Sequence, residues 1–213
     1  MPVTINGSGS ITGISAGGLP DGCVVDADIN GMSSSKLSGA LPAISGANLT
    51  GIAAGITEAD VWRLSTDIGG SSSASTITSW ERADDAVAAY IGTGMSFDSS
   101  TGIFTFPSTG KWLIQVQLTL YGAYAFGWGF ILTAFKSSGS GSYDGVAEAF
   151  GNVAANSGFG GGFSQCLVDV TESGGSGGAV YFQQTTVSTS QRYIAGSSTK
   201  NKTSIAFIRL GDT

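Results

Sequence analysis

The first 56 residues contain no Trp, Tyr or Phe. They are Gly, Ser, Ala and Thr punctuated by single aliphatics, from Val3 and Ile5 through Leu37, Leu41, Ile44, Leu49 and Ile52 to Ile56. No segment of this kind gathers enough apolar area in one place to build a globular core. Two readings fit it. One is a disordered linker. The other is a stem, in which three chains wound about a common axis bury aliphatics that one chain cannot bury alone. Gly does not recur at every third position, so a collagen helix is excluded.

The remaining composition favours an oligomer. Charged residues make up 11% of the chain, against about a quarter in an ordinary soluble domain. Of 213 residues, 34 are Gly. A monomer so poor in charge would expose much neutral surface, whereas a subunit packed against copies of itself would not. The absence of His removes Ser-His-Asp and Cys-His catalysis, His-ligated zinc and the usual proton shuttle. Asp and Glu could still act as acid and base, but no recognisable carboxylate pair stands out, so a carbohydrate-active enzyme is the remotest of the readings. The expectation is a non-enzyme without cofactor or metal.

A net charge of −6, unrelieved by any Lys/Arg cluster, sets nucleic acid aside. Cys23 and Cys166 do not make a disulfide framework, and Cys166 lies in an apolar alternating run that predicts a buried free thiol. The opening Met1-Pro2-Val3-Thr4-Ile5 lacks the basic and apolar regions of a secretory signal. The most apolar stretch, Tyr121 to Phe135, is interrupted by Gly122, Gly127 and Gly129 and falls short of the roughly 20 residues needed to span a bilayer. These features predict a soluble protein made in the cytoplasm of its producing cell, without membrane insertion.

Thr57-Glu58-Ala59-Asp60 reads as a capping-box turn at a junction. It divides the chain into a stem, residues 1–58, and a head, residues 59–213. The head is read as all-β. Trp112, Ile114, Val116, Leu118 and Leu120 share one face of a long strand, with Gln115, Gln117 and Thr119 on the other. Phe126, Trp128, Phe130 and Leu132 form a second apolar face. Cys166, Val168 and Val170 form a third, and Val180 with Phe182 a fourth. Thr203 to Leu210 carries Ile205 and Phe207 on one side and Ala206, Ile208 and Leu210 on the other. Apolar residues on both sides predict a strand lying between the core and a subunit neighbour. Gly- and Ser-rich turns are expected at Ser71–Ser75, Ser137–Ser142, Asn156–Gly162 and Gly174–Gly178.

Few residues invite chemistry. Asp84-Asp85, after Glu81, is the densest acidic cluster. It could hold Ca²⁺, yet no spaced Asp-x-Asp-x-Asp-Gly loop accompanies it, and an exposed turn is the preferred reading. Tyr121, Tyr124, Phe126, Trp128 and Phe130 could include a sugar-stacking platform, although jelly-roll core or trimer interface is preferred for most of them. Tyr143 and Asp144, in a Gly/Ser loop, are candidates for an exposed contact. The run Gly158–Gly162 lacks a Lys and a following helix, so it is not a phosphate loop.

Two resemblances sharpen this reading. Leu37-Ser38-Gly39-Ala40-Leu41-Pro42 and Asn48-Leu49-Thr50-Gly51-Ile52 resemble segments common in bacteriophage tail-fibre and other virion appendage proteins. Phe97-Asp98-Ser99-Ser100-Thr101-Gly102-Ile103-Phe104-Thr105-Phe106-Pro107-Ser108-Thr109-Gly110-Lys111-Trp112 resembles the signature of C1q/TNF-like jelly rolls, with Gly102, Phe104, Pro107 and Gly110 in the places of that pattern. Trp112 departs from it, since the family usually has Tyr there. Ser204-Ile205-Ala206-Phe207-Ile208-Arg209-Leu210 resembles the closing strand of the same family, which sits near the trimer axis. The layout of thin stem and C1q-like head resembles structural proteins of phages that infect aquatic bacteria, cyanobacteria included. The resemblance implies an extended trimeric stem, a jelly-roll β-sandwich head, and Ile205, Phe207, Ile208 and Leu210 as core or trimer interface. It also implies a virion location, other virion proteins as partners of the stem, and a host-surface saccharide or protein as partner of the head. A capsid decoration protein is the alternative within the same class.

Overall fold

The computed structural model describes residues 55–71, 73–84, 90–122, 127–154, 158–175, 177–186 and 192–212. The fibre-like repeat, the stem before Gly55, Cys23, Asp85, Tyr124 and Phe126 lie outside the described residues. Among those described, every regular element is a strand.

The strands begin with β1 (Ala59–Leu64), β2 (Ile68–Gly69), β3 (Ser75–Thr76), β4 (Trp80–Arg82), β5 (Tyr90–Ile91), β6 (Ser96–Asp98) and β7 (Ile103–Thr105). Longer ones follow: β8 (Gly110–Gly122), β9 (Gly127–Lys136), β10 (Asp144–Val153), β11 (Gly158–Val170), β12 (Ala179–Thr186), β13 (Arg192–Ile194) and β14 (Ser204–Gly211). They form an eight-stranded and a six-stranded sheet among the described residues. In the larger sheet the long strand β8 pairs with β11 along one edge, while β14 and β13 share its other edge. β1 then lies beside β14 and takes β4 and β5 on its far side. The smaller sheet runs β10-β9-β12-β7-β6, with β3 against β12. All of these pairings are antiparallel.

The alternation read along β8 is the alternation observed: Trp112, Ile114, Val116, Leu118 and Leu120 are buried. Their partners across the sandwich include Ile131, Phe135, Val180 and Phe182. Phe104 is the hub of the core. Its ring centroid lies 4.5 Å from Phe97, 5.1 Å from Trp62, 5.3 Å from Phe207 and 5.8 Å from Phe182. Burying each such side chain contributes about 1.5–3 kcal/mol. Gly102 takes φ 76° in the turn before β7, and a Cβ there would meet the Ile77 carbonyl oxygen at 2.7 Å. Only Gly meets both demands without strain.

Three local expectations are corrected. Thr57–Asp60 is not a capping-box turn: β1 begins at Ala59, and Asp60 is a buried strand residue that accepts from Arg82 and from the Met95 amide at 2.7 Å. The three-residue spacing of Thr57 and Asp60 coincided with a strand entry. Trp128 and Phe130 are not core, because β9 turns Ile131 and Phe135 inward. Both faces of β9 are apolar, so parity of the pattern does not select one. Gly158–Gly162 is not a turn but the first five residues of β11. There the two sheets meet backbone to backbone. A Cβ on Gly160 would lie 1.7 Å from the Asn152 carbonyl oxygen, and one on Gly162 would lie 2.2 Å from that of Phe150. The glycines mark close approach rather than flexibility.

Candidate functional site

Because paired residues in a sheet point to the same side, the register defines what each outer face presents. Across the larger sheet, one row runs Leu167, Leu113, Ile208. The next is Gln165, Gln115, Ala206, Val61, and the next Phe163, Gln117, Ser204. Near the far end of β8, Phe159, Tyr121 and Tyr193 form another. On the β11 side the face is open: Phe159, Phe163 and Leu167 are 78%, 59% and 62% exposed. Single exposed hydrophobics are ordinary, but here three stand at four-residue steps on one strand, Leu167 beside Leu113 and Ile208, and Phe163 separated from that row by Gln165 and Gln115.

Tyr121 stacks on Tyr193 with centroids 5.0 Å apart and planes 19° from parallel. Its hydroxyl donates to Asp67 at 2.7 Å. That bond, with burial second, pushes the phenol up to about 12 from 10.0.

The four residues singled out in the closing strand separate by face. Ile205 and Phe207 point into the sandwich and are wholly buried. Ile208 points outward and is half-buried, in the row with Leu113. Leu210 is the exposed extra residue of a bulge between Arg209 and Gly211.

On the opposite side of the sandwich, the smaller sheet carries an aromatic cluster. Trp128 lies 6.1 Å from Phe130 with planes 11° apart, and 5.7 Å from Phe150 with planes 29° apart. Phe130 and Phe150 are direct cross-strand partners. Tyr143 is half-buried against Tyr181, with centroids 4.7 Å apart, and Lys136 lies over its ring at 5.4 Å. Burial, then Tyr181, holds its phenol above the usual range. Asp144 is exposed and opens β10 opposite Phe135.

Most charges are engaged internally. Arg63 is fully buried in β1 and donates to Glu81 at 2.8 Å, and also to Asp84 and the Ser198 carbonyl. The acidic cluster read from the sequence is therefore, in its described part, the counter-charge of a buried guanidinium. Arg82 pairs with Asp60 at 2.9 Å and sits between the Trp62 and Tyr90 rings at 4.8 and 4.7 Å. Lys111 pairs with Asp169. No group of three His, Cys, Asp or Glu residues among those described could hold a metal ion. A depression of about 370 Å³ beside β6 and β7 is lined by Ser96, Phe97, Asp98, Thr101, Ile103, Thr105 and Gly175. Its carboxylate, Asp98, is held below the usual range by hydrogen bonds from Ser100 and Thr101, which makes it a poor general acid. Cys166 is free and half-buried toward the core, and burial pushes its thiol up to about 11 from 9.0.

The sequence reading missed the internal ion pairs and the exposed β11 residues. The pairs join positions 18 and 22 residues apart, without a local pattern. The i, i+4, i+8 spacing of Phe159, Phe163 and Leu167 was visible but was masked by the intervening glycines.

No protein-family model and no curated protein matches the sequence. The fold does have solved counterparts. Eiger TNF from S. frugiperda superposes with a TM-score of 0.52 at 12% sequence identity, covering 73% of this chain and 93% of that one. Murine APRIL gives a TM-score of 0.48 at 14% identity, covering 71% and 99%. Identity this low speaks to fold alone. The described chain is an all-β protein with a TNF-like jelly-roll fold.

Proposed function

We propose that this chain is a homotrimeric, non-enzymatic structural protein of a bacteriophage virion, a tail fibre or comparable appendage. In this reading residues 1–58 form the stem that joins other virion proteins, and residues 59–213 form a head that contacts a host-surface saccharide or protein. The observation that carries it is the set of large hydrophobics exposed on the outer face of the larger sheet, Phe159, Phe163 and Leu167 of β11. A face of this kind is costly in water and stable when covered by another copy. The fibre-like repeat at residues 37–52 supports a stem that needs three chains, and the C1q/TNF-like resemblance supports three as the number in the head. Three weak head contacts per fibre, multiplied over several fibres, reach useful avidity without a deep pocket.

Light scattering tests it. The purified chain is expected to have the mass of three subunits at micromolar concentration. The double variant Phe163→Asp, Leu167→Asp is expected to fold, since both positions are open in the single chain, and to be monomeric. A monomeric parent, or a trimeric double variant, overturns the assembly. Cryo-electron microscopy of intact particles tests the location: density on the tail supports the fibre, and density on the shell means capsid decoration.

A further inference from the structure

We infer that the outer face of β9 and β10, centred on Trp128, Phe130 and Phe150, is a stacking platform for a neutral oligosaccharide. The inference rests on the reading of the head as a host-contacting module, and gives that contact a site and a ligand class.

Three observations converge. First, the rings are arranged as a ladder. Trp128 lies within 11° of parallel to Phe130 and within 29° of parallel to Phe150, in centroid steps of 6.1 and 5.7 Å, comparable to the length of one sugar ring. Core aromatics here meet mostly tilted or edge to face instead, as Phe104 does with Phe182 at 77°. Second, the ladder is accessible. Trp62, Trp80 and Trp112 are 8%, 5% and 1% exposed, whereas Trp128 is 38% and Phe150 is 56% exposed. Third, polar groups adjoin the rings on the same face. Asn152 stands opposite Trp128, Thr185 opposite Phe130, and Glu148 and Gln183 opposite Leu132.

A pyranose is the ligand this chemistry fits. It presents C–H bonds on its faces, which pack on aromatic rings, and hydroxyls around its rim, which match an amide, a hydroxyl and a carboxylate. A protein partner fits less well. At about 200 Å² per aromatic side chain, the exposed fractions of Trp128, Phe150 and half-buried Phe130 leave roughly 200–260 Å² of ring surface, short of the about 800 Å² each partner gives to a stable interface. The platform also lies on the opposite side of the sandwich from the self-association face, so both can be used at once.

Trp128 reports on its own site, because the other three tryptophans are buried. The full chain is titrated separately with lactose, cellobiose, maltotriose and N,N′-diacetylchitobiose up to about 100 mM, a range suited to millimolar single-site binding. Acrylamide quenching of tryptophan fluorescence is the readout. The expected result is saturable protection by at least one of these sugars. Phe150→Ala should weaken that binding about tenfold, as the loss of a stacking partner implies. Trp128→Ala should abolish the protectable signal and leave the mass by light scattering unchanged. Protection by none of the four sugars, or protection that persists undiminished in Trp128→Ala, overturns the platform. So does a changed subunit number in Trp128→Ala, which would mean that another copy of the chain covers this face. Because mass and quenching are read on the same samples, loss of the platform with three subunits retained leaves the trimer reading intact. A monomeric parent removes that reading whatever the sugars do.

Discussion

Replacing Gly162 with Ala should destabilise the head by about 2–3 kcal/mol, and the sign of the effect is as informative as its size. A Cβ on Gly162 would stand 2.2 Å from the Phe150 carbonyl oxygen and 2.6 Å from its carbonyl carbon. Real contacts of this kind begin near 3 Å or beyond, and the obstacle is backbone in a paired strand, which cannot rotate away. Overpacking typically costs about 1–3 kcal/mol, and a rigid obstacle places this case toward the upper end. The opposing term is modest: Ala restricts the unfolded chain more than Gly does, which stabilises by about 0.4–1 kcal/mol where the native backbone tolerates it. Gly162 has no positive φ, so the penalty is one of space alone. Gly69 is the control, since it is an exposed strand residue, has no positive φ, and a Cβ there meets nothing within 4 Å. Thermal unfolding by circular dichroism at fixed protein concentration reads both variants. With about 2–4 °C per kcal/mol for a domain of this size, Gly162→Ala is expected to melt roughly 4–12 °C below the parent, and Gly69→Ala level with it or slightly above. A Gly162→Ala variant as stable as the parent would refute the backbone-on-backbone contact between β10 and β11.

Two further predictions concern titration. Asp67→Asn should lower the Tyr121 phenol from about 12 toward its ordinary value, read as the Tyr121-dependent part of the absorbance change near 295 nm by comparison with Tyr121→Phe; an unmoved titration would show that the Asp67 bond is not the cause. Because the folded value lies above the unfolded 10.0, this bond supports the fold below about pH 10 and is lost as pH rises toward 12, so the parent and Asp67→Asn should converge in stability at strongly alkaline pH. In a Cys23→Ser background, Cys166, with its thiol near 11 against 9.0, should react with a disulfide reagent at pH 8 roughly a hundredfold more slowly than a free cysteine; equal rates would mean that it is not shielded by burial.

What could be read from the sequence was whatever had a local pattern. The β8 alternation, the turn glycine at 102 and the two-faced closing strand are all local, and each reappears in the structure. Gly158–Gly162 was misplaced because strand periodicity is carried by side chains, and glycines have none to alternate. Trp128 and Phe130 were ambiguous because β9 is apolar on both faces, so which face is inward depends on pairing with β12 and β10. No local pattern marks Arg63 for burial. Its burial is set by Glu81, Asp84 and Ser198, brought to it by distant parts of the chain.

The position of β14 has a consequence for synthesis. It is the last strand in chain order, yet it lies between β1 and β8 and supplies Phe207 to the cluster around Phe104. A ribosome-bound chain that stops short of Ser204 leaves β1 and β8 each with an unpaired edge, and such edges invite aggregation. Pairings this distant in sequence also form slowly. The head therefore closes only after the eight residues of β14 have emerged. A chain truncated before them never presents the completed Leu167–Leu113–Ile208 row. Prematurely terminated copies are thereby sorted out of any assembly that uses this face, without a separate quality-control factor.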